Sequence, residues 1–112
     1  MQTPEYDFKI TSPEKKSIIK AIRYVIHELQ DELPIRSGFT IDEFEELISF
    51  LKKSDSNHFK LTRIQLLMLH QLFNEIINGV HISDHQIFIG MRDDDAKKIF
   101  SMLDNIIELS SN

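Results

Sequence analysis

Hydrophobic residues recur every three or four positions in four separate stretches of this chain, which is the spacing that gives an α-helix one buried face. Each stretch begins beside a residue type that caps helices. The chain has 112 residues, of which 41% are hydrophobic, enough for one core. The sequence therefore predicts a mainly α fold with a single helical domain over residues 1–112, a compact bundle of about four helices.

The first helix is predicted over residues 13–32. Ser12 is a favoured N-cap residue, and Pro13 suits the first helical position because its missing N–H has no partner there. Pro34 is expected to stop the helix, since the residue before a proline avoids the α region. The apolar positions that form its stripe are Ile18, Ile22, Val25, Leu29 and Leu33.

The second and third helices each begin at a capping box, in which the N-cap side chain and a residue three positions later bond each other's backbone. Thr40 and Glu43 form the first box, and Thr62 and Gln65 form the second. The polar run over residues 53–58 should end the second helix as a loop.

The third helix is predicted to be central and to end at Gly79, because its apolar positions cover about half of the helix circumference. Those positions are Leu66, Met68, Leu69, Leu72, Phe73, Ile76 and Ile77. His70 and Asn74 lie on the opposite face, with Gln71, Glu75 and Asn78. Amides and histidine suit a contact surface better than lysine and glutamate do. We therefore consider a partner contact at His70 and Asn74 beside the ordinary alternative of a solvated face.

The fourth helix is predicted to start near Asp93, where acidic residues in the first turn agree with the helix dipole. Residues 5–10 alternate between polar and apolar, so an extended segment or short strand is expected within residues 1–11. The segments 80–82 and 86–89 are short and rich in β-branched residues. The sequence therefore allows one or two short β segments beside the helices.

The charge distribution argues against nucleic-acid binding. The net charge is −5, and acidic residues outnumber basic ones on both sides of Ser56. No apolar run approaches the roughly 20 residues that cross a membrane, and no secretion signal is visible at the start. With no cysteine, disulfides and thiolate sites are excluded, which fits a cytoplasmic protein. The count of 17 isoleucines against 2 alanines is typical of AT-rich genomes such as those of many bacteria and phages.

The sequence shows no recognisable set of catalytic residues, so we expect that the protein is not an enzyme and binds no cofactor and no metal. The sharpest metal candidates are His81, Asp84 and His85, which would share a site if residues 81–85 were helical, although Gly79 and Ser83 favour a loop. The leading hypothesis is a small acidic, non-catalytic protein-interaction module: an inhibitor, an immunity-type protein or a homo-oligomer. The alternative is a small ligand- or metal-binding regulatory protein that uses residues 81–85.

The first helix suggests one route to self-association. Its N-terminal half is basic and its C-terminal half is acidic, which is the reverse of the dipole preference. One explanation is chance, since each such charge costs only a few tenths of a kcal/mol at most. The other is that two copies packed antiparallel pair these halves as a homodimer. The face that would make the contact carries Lys20, Tyr24, His27 and Asp31. Apolar residues that fall off the main stripes would join an interface if they converge; they are Phe50, Leu67 and Met102.

Overall fold

A two-stranded antiparallel sheet ties the start of the chain to its middle. The computed structural model describes residues 4–79 and 92–110. Strand β1, Glu5–Lys9, pairs with strand β2, His58–Thr62, so that Phe8 lies opposite Phe59. Both phenylalanine side chains are buried in the core beneath the sheet.

Five α-helices lie within the described residues, and the fold is mainly α with a short sheet, as the sequence predicted. They are α1 (Ser12–Leu29), α2 (Glu32–Ser37), α3 (Ile41–Lys53), α4 (Arg63–Asn74) and α5 (Asp93–Ser110). A π-helical turn, Glu75–Gly79, continues α4 to the glycine at which the third helix was predicted to end.

Helix α4 is the centre of the bundle. It packs against β2 on one side and against α1, α2 and α5 on others. Leu72 and Phe73 are almost fully buried on this helix. The prediction that the third helix would be central is therefore confirmed, and the wide apolar face is the reason.

Capping boxes start three of the helices. Those at Thr40 and Thr62 are formed as predicted. The first helix differs, because its N-cap is Thr11 rather than Ser12. The Thr11 hydroxyl accepts a hydrogen bond from the backbone N–H of Glu14 at 3.2 Å, and the Glu14 carboxylate accepts one from the Thr11 N–H at 2.8 Å. The complete box outcompetes serine alone because it satisfies two backbone donors.

The predicted helix over residues 13–32 is interrupted. Gln30 has a φ of 47°, and its N–H donates to the Ile26 carbonyl, so α1 ends at Leu29. Helix α2 then begins upstream of Pro34 instead of the chain leaving helical structure there. A proline is tolerated at this point because it lies in the first turn, where a backbone N–H has no acceptor within the helix.

The polar run over residues 53–58 was predicted to be a loop, but its last residue, His58, already belongs to β2. Along this strand Phe59 and Leu61 are buried while His58 and Lys60 are exposed, which is the alternation of a half-buried strand. The two β-branched segments at 80–82 and 86–89 lie outside the described residues. No helix in the described ranges is sufficiently long and apolar to cross a membrane.

Candidate functional site

Helix α3 has one buried face and one face that no other element within residues 4–79 and 92–110 covers. Phe39 packs edge-on against Phe44 at 6.3 Å between ring centroids, the contact between the two positions that flank a capping box. This contact fixes the start of the helix and turns Phe44 and Leu51 into the core. The outward side therefore projects into solvent along its whole length.

The outward side of α3 carries a straight line of polar residues at spacings of four, three and four. At about 100° per residue these positions fall on one face. The line consists of Asp42, Glu46, Ser49 and Lys53. We define the α3 face as these four residues together with the neighbouring Glu45 and Phe50, and all six are exposed.

Phe50 lies between two open grooves on this surface. Its side chain is 37% exposed, and its ring lies against Phe59 at 6.2 Å between centroids with 49° between the planes. The acidic groove is lined by Asp42, Glu45, Glu46, Ser49, Phe50 and Lys53. The basic groove is lined by Glu5, Phe50, Lys53, Ser54, His58, Phe59 and Lys60.

The two sides of Phe50 differ in charge. Three carboxylates, Asp42, Glu45 and Glu46, lie toward the start of α3. Lys53 is the last residue of α3 and lines both grooves, and Lys60 of β2 lines the basic groove. Across the described part of the chain, none of these five side chains has an ion-pair partner within 4.0 Å. Their charges are therefore available to a partner.

Lys15 supports Phe59, the aromatic residue that lines the basic groove beside Phe50. The Lys15 ammonium donates a hydrogen bond to the Ser54 carbonyl and lies 5.3 Å from the centroid of the Phe59 ring. Phe59 thus contacts both Lys15 and Phe50, and a cation over an aromatic face is attracted to its electrons. This contact gives Phe50 a fixed support while part of its ring stays exposed.

At the edge of the basic groove, the strands share a hydrogen-bonded pair. His58 Nε2 lies 2.9 Å from Asp7 Oδ1. The hydrogen bond from His58 holds the pKa of the Asp7 carboxyl below its ordinary value, and the positive charges of His58, Lys60 and Lys9 act in the same direction. The pair links β1 to β2 on the solvent side of the sheet.

The residues that were predicted to make the α1 contact differ in exposure. Lys20, His27 and Asp31 are exposed, and the His27 side chain is 80% exposed beside Glu28. Tyr24 is half-buried and packs against the core. A homodimer through this face stays a prediction, although its expected aromatic anchor presents only part of its surface.

Of the other two predicted contact residues, His70 contacts α5 and Asn74 contacts its own helical segment. His70 stacks on Phe100, and Asn74 accepts a hydrogen bond from the Asn78 amide at 3.1 Å. Glu75, expected on the same solvated face, is buried, so that part of the interpretation is wrong. Its carboxylate lies 3.7 Å from Nη1 of Arg36 on α2, and the π-helical turn that carries it packs against both α4 and α5. An external contact by His70 and Asn74 remains a prediction.

Among the off-stripe apolar residues, Leu67 and Met102 are half-buried, and Phe50 is the most exposed. Sequence reasoning did not select Ile64, which is 59% exposed and lines a third groove, between α3 and α4. Ile64 lies off the apolar stripe of α4, and this position could have indicated from the sequence that its side chain is exposed. Ile35 and Leu109 are also exposed, at 84% and 72%.

Metal binding has no support within residues 4–79 and 92–110, where no group of three or more His, Asp or Glu side chains is arranged to hold an ion. The candidates His81, Asp84 and His85 lie outside the described residues. The 81–85 alternative therefore stays a prediction.

Comparisons with known proteins add no further constraint. No model of a known protein family matches this chain, and neither a curated protein nor a solved structure matches it.

Proposed function

We propose that this chain is a non-catalytic protein-interaction module that binds its partner through the α3 face. The observation that carries the proposal is the position of Phe50, an aromatic ring 37% exposed between an acidic and a basic groove. Aromatic residues are enriched at the centres of protein interfaces, where they contribute much of the binding energy.

The charges around Phe50 suit this role. Asp42, Glu45 and Glu46 have no ion-pair partner among the described residues, so a basic partner surface would gain their attraction without breaking an existing pair. Charge complementarity of this kind sets orientation and association rate more than affinity. Two specific forms of the function follow: an inhibitor or immunity-type protein that covers a basic target, and a homo-oligomer.

The proposal is tested by affinity capture from extract of the native host, with mass spectrometry of the bound proteins. The test variant is Asp42→Asn, Glu45→Gln and Glu46→Gln, which removes three carboxylates and keeps their shapes. The control is Asp55→Asn, Asp94→Asn and Glu108→Gln, which changes net charge equally at exposed positions elsewhere.

We expect one protein to be captured by the parent and by the control and lost from the α3 variant. A basic enzyme in that position would support the inhibitor form, and the chain itself would support the homo-oligomer. A partner retained equally by both triple variants would contradict the assignment to the α3 face.

A further inference from the structure

We propose that the partner of the α3 face is a second copy of this chain, packed about a two-fold axis that passes beside Ser49 and Phe50. This inference rests on the proposed function and names the partner of the same surface. A two-fold contact uses the same patch on both copies, so the patch must complement itself.

The charges on the α3 face meet that requirement. Glu46 and Lys53 lie at equal distances along the helix on either side of the Ser49–Phe50 peptide bond, and both point outward. When two α3 helices run antiparallel about that point, Glu46 of one copy faces Lys53 of the other, and the pair occurs twice. Neither side chain has a competing ion pair in the described part of the molecule.

The complementarity continues beyond the first pair. Asp42 lies one turn outside Glu46 on the acidic side, and the exposed β2 residues His58 and Lys60 lie outside Lys53 on the basic side. The antiparallel arrangement brings the acidic groove of one copy toward the basic groove of the other. A parallel arrangement would oppose like charges at each position.

The centre of the proposed contact is suited to close approach. Ser49 is small, so it allows the two helices to come together, and Phe50 beside it exposes part of its ring. The Phe50 ring of each copy would reach the basic groove of the other copy, which Phe59 lines. Phe50 is more exposed than Tyr24 on the outward face of α1, because Tyr24 is half-buried against the core.

The contact should be weak and sensitive to salt. Exposed ion pairs contribute little, about 0–1 kcal/mol each, and salt screens them. The test is sedimentation velocity of the purified full chain at high concentration, in low and in high salt. The variants are Glu46→Lys and Lys53→Glu, with Glu108→Lys and Lys98→Glu as controls at exposed positions on α5. Circular dichroism checks that each variant is folded.

The parent and both controls are expected to dimerise in low salt. Each α3 variant alone should dissociate at least about tenfold more readily, because it places like charges opposite each other. An equimolar mixture of Glu46→Lys and Lys53→Glu should recover a dimer, since both pairs are then opposite in charge. Recovery of the dimer on mixing the two variants is expected only when the partner of the α3 face is another copy of the chain.

Two results would overturn the inference: a parent that stays monomeric in low salt, or a mixture that dimerises no better than its components. Either one leaves the proposed function standing if affinity capture finds a different protein that depends on the α3 carboxylates. If capture also fails to depend on them, the proposed function fails as well.

Discussion

The imidazole of His70 lies nearly flat on the ring of Phe100, with 4.4 Å between the ring centroids and 23° between the planes. His70 belongs to α4 and Phe100 to α5, so the stack joins the central helix to the last one. His70 Nε2 also lies 3.3 Å from Asp104 Oδ1, within ion-pair distance but without hydrogen-bond geometry.

We predict that His70→Ala loosens the contact between α4 and α5 and lowers the free energy of unfolding by about 1 kcal/mol, the usual scale for a stacked aromatic pair. Urea unfolding measures the change. His27→Ala, at a side chain 80% exposed, is the matched control and should change stability by less than about 0.5 kcal/mol. Equal losses in both variants would show that the stack contributes nothing.

Arg36 balances a buried carboxylate. Its Nη1 lies 3.7 Å from Oε2 of Glu75, an atom that is buried without a hydrogen bond. Arg36→Ala should cost about 1–3 kcal/mol, less than for a fully buried pair because Arg36 is itself partly exposed. Adding Glu75→Gln should recover part of the loss, since it removes the uncompensated charge. Thermal unfolding of the single and double variants decides, and a further loss in the double variant would contradict this account.

The pair of Asp7 and His58 predicts a dependence of stability on pH. The pKa of Asp7 is lowered in the folded state, mainly by the hydrogen bond from His58. A lowered carboxyl pKa stabilises the fold above the ordinary pKa of 3.8, and that contribution is lost as the pH falls through the lowered pKa. Asp7→Asn should therefore be less stable than the parent near neutral pH, and the gap should close in acid.

Urea unfolding midpoints of the parent and of Asp7→Asn, measured from neutral pH down to pH about 2, test this dependence. His58→Ala should produce the same closing gap, because it removes the donor. A constant difference between the parent and Asp7→Asn at every pH would show that the hydrogen bond does not set the dependence.

Helix α4 lies at the centre of the core, so Leu72→Ala should be among the single substitutions that lower the free energy of unfolding most. Leu72 is 1% exposed, and removing a large buried side chain costs about 2–5 kcal/mol. Leu109→Ala is the control, because that leucine is 72% exposed at the end of α5. Calorimetry compares the two, and equal melting temperatures for Leu72→Ala and the parent would contradict the central position of α4.

The parts of the fold that could be predicted from the sequence are those fixed by neighbouring residues. The capping boxes at Thr40 and Thr62 depend on a residue three positions away, and the apolar face of α4 depends on its own periodicity. The N-cap of α1 was placed one residue too late, because Ser12 beside Pro13 is also a strong cap signal. The box between Thr11 and Glu14 was equally local and was available in the sequence.

The parts that could not be predicted depend on distant partners. Strand β2 shows its alternation in the sequence, but it is a strand because β1 pairs with it across about fifty residues of chain. The stack on His70 depends on α5, and the contact of the buried Glu75 with Arg36 depends on α2. No pattern within residues 63–79 indicates either contact. Phe50 was visible as an off-stripe residue, whereas its position between two grooves of opposite charge required the fold.

The most direct test of the proposed contact surface is photo-cross-linking from Ser49, at the centre of the α3 face. A photoreactive amino acid replaces Ser49 in one preparation and the exposed Ser101 of α5 in another, and both are irradiated at high concentration in low salt. We predict that Ser49 yields a covalent dimer whose cross-linked peptide contains α3 or β2, that Ser101 yields none, and that high salt abolishes the product. Cross-linking from Ser101 but not from Ser49, or a dimer joined outside α3 and β2, would contradict the account.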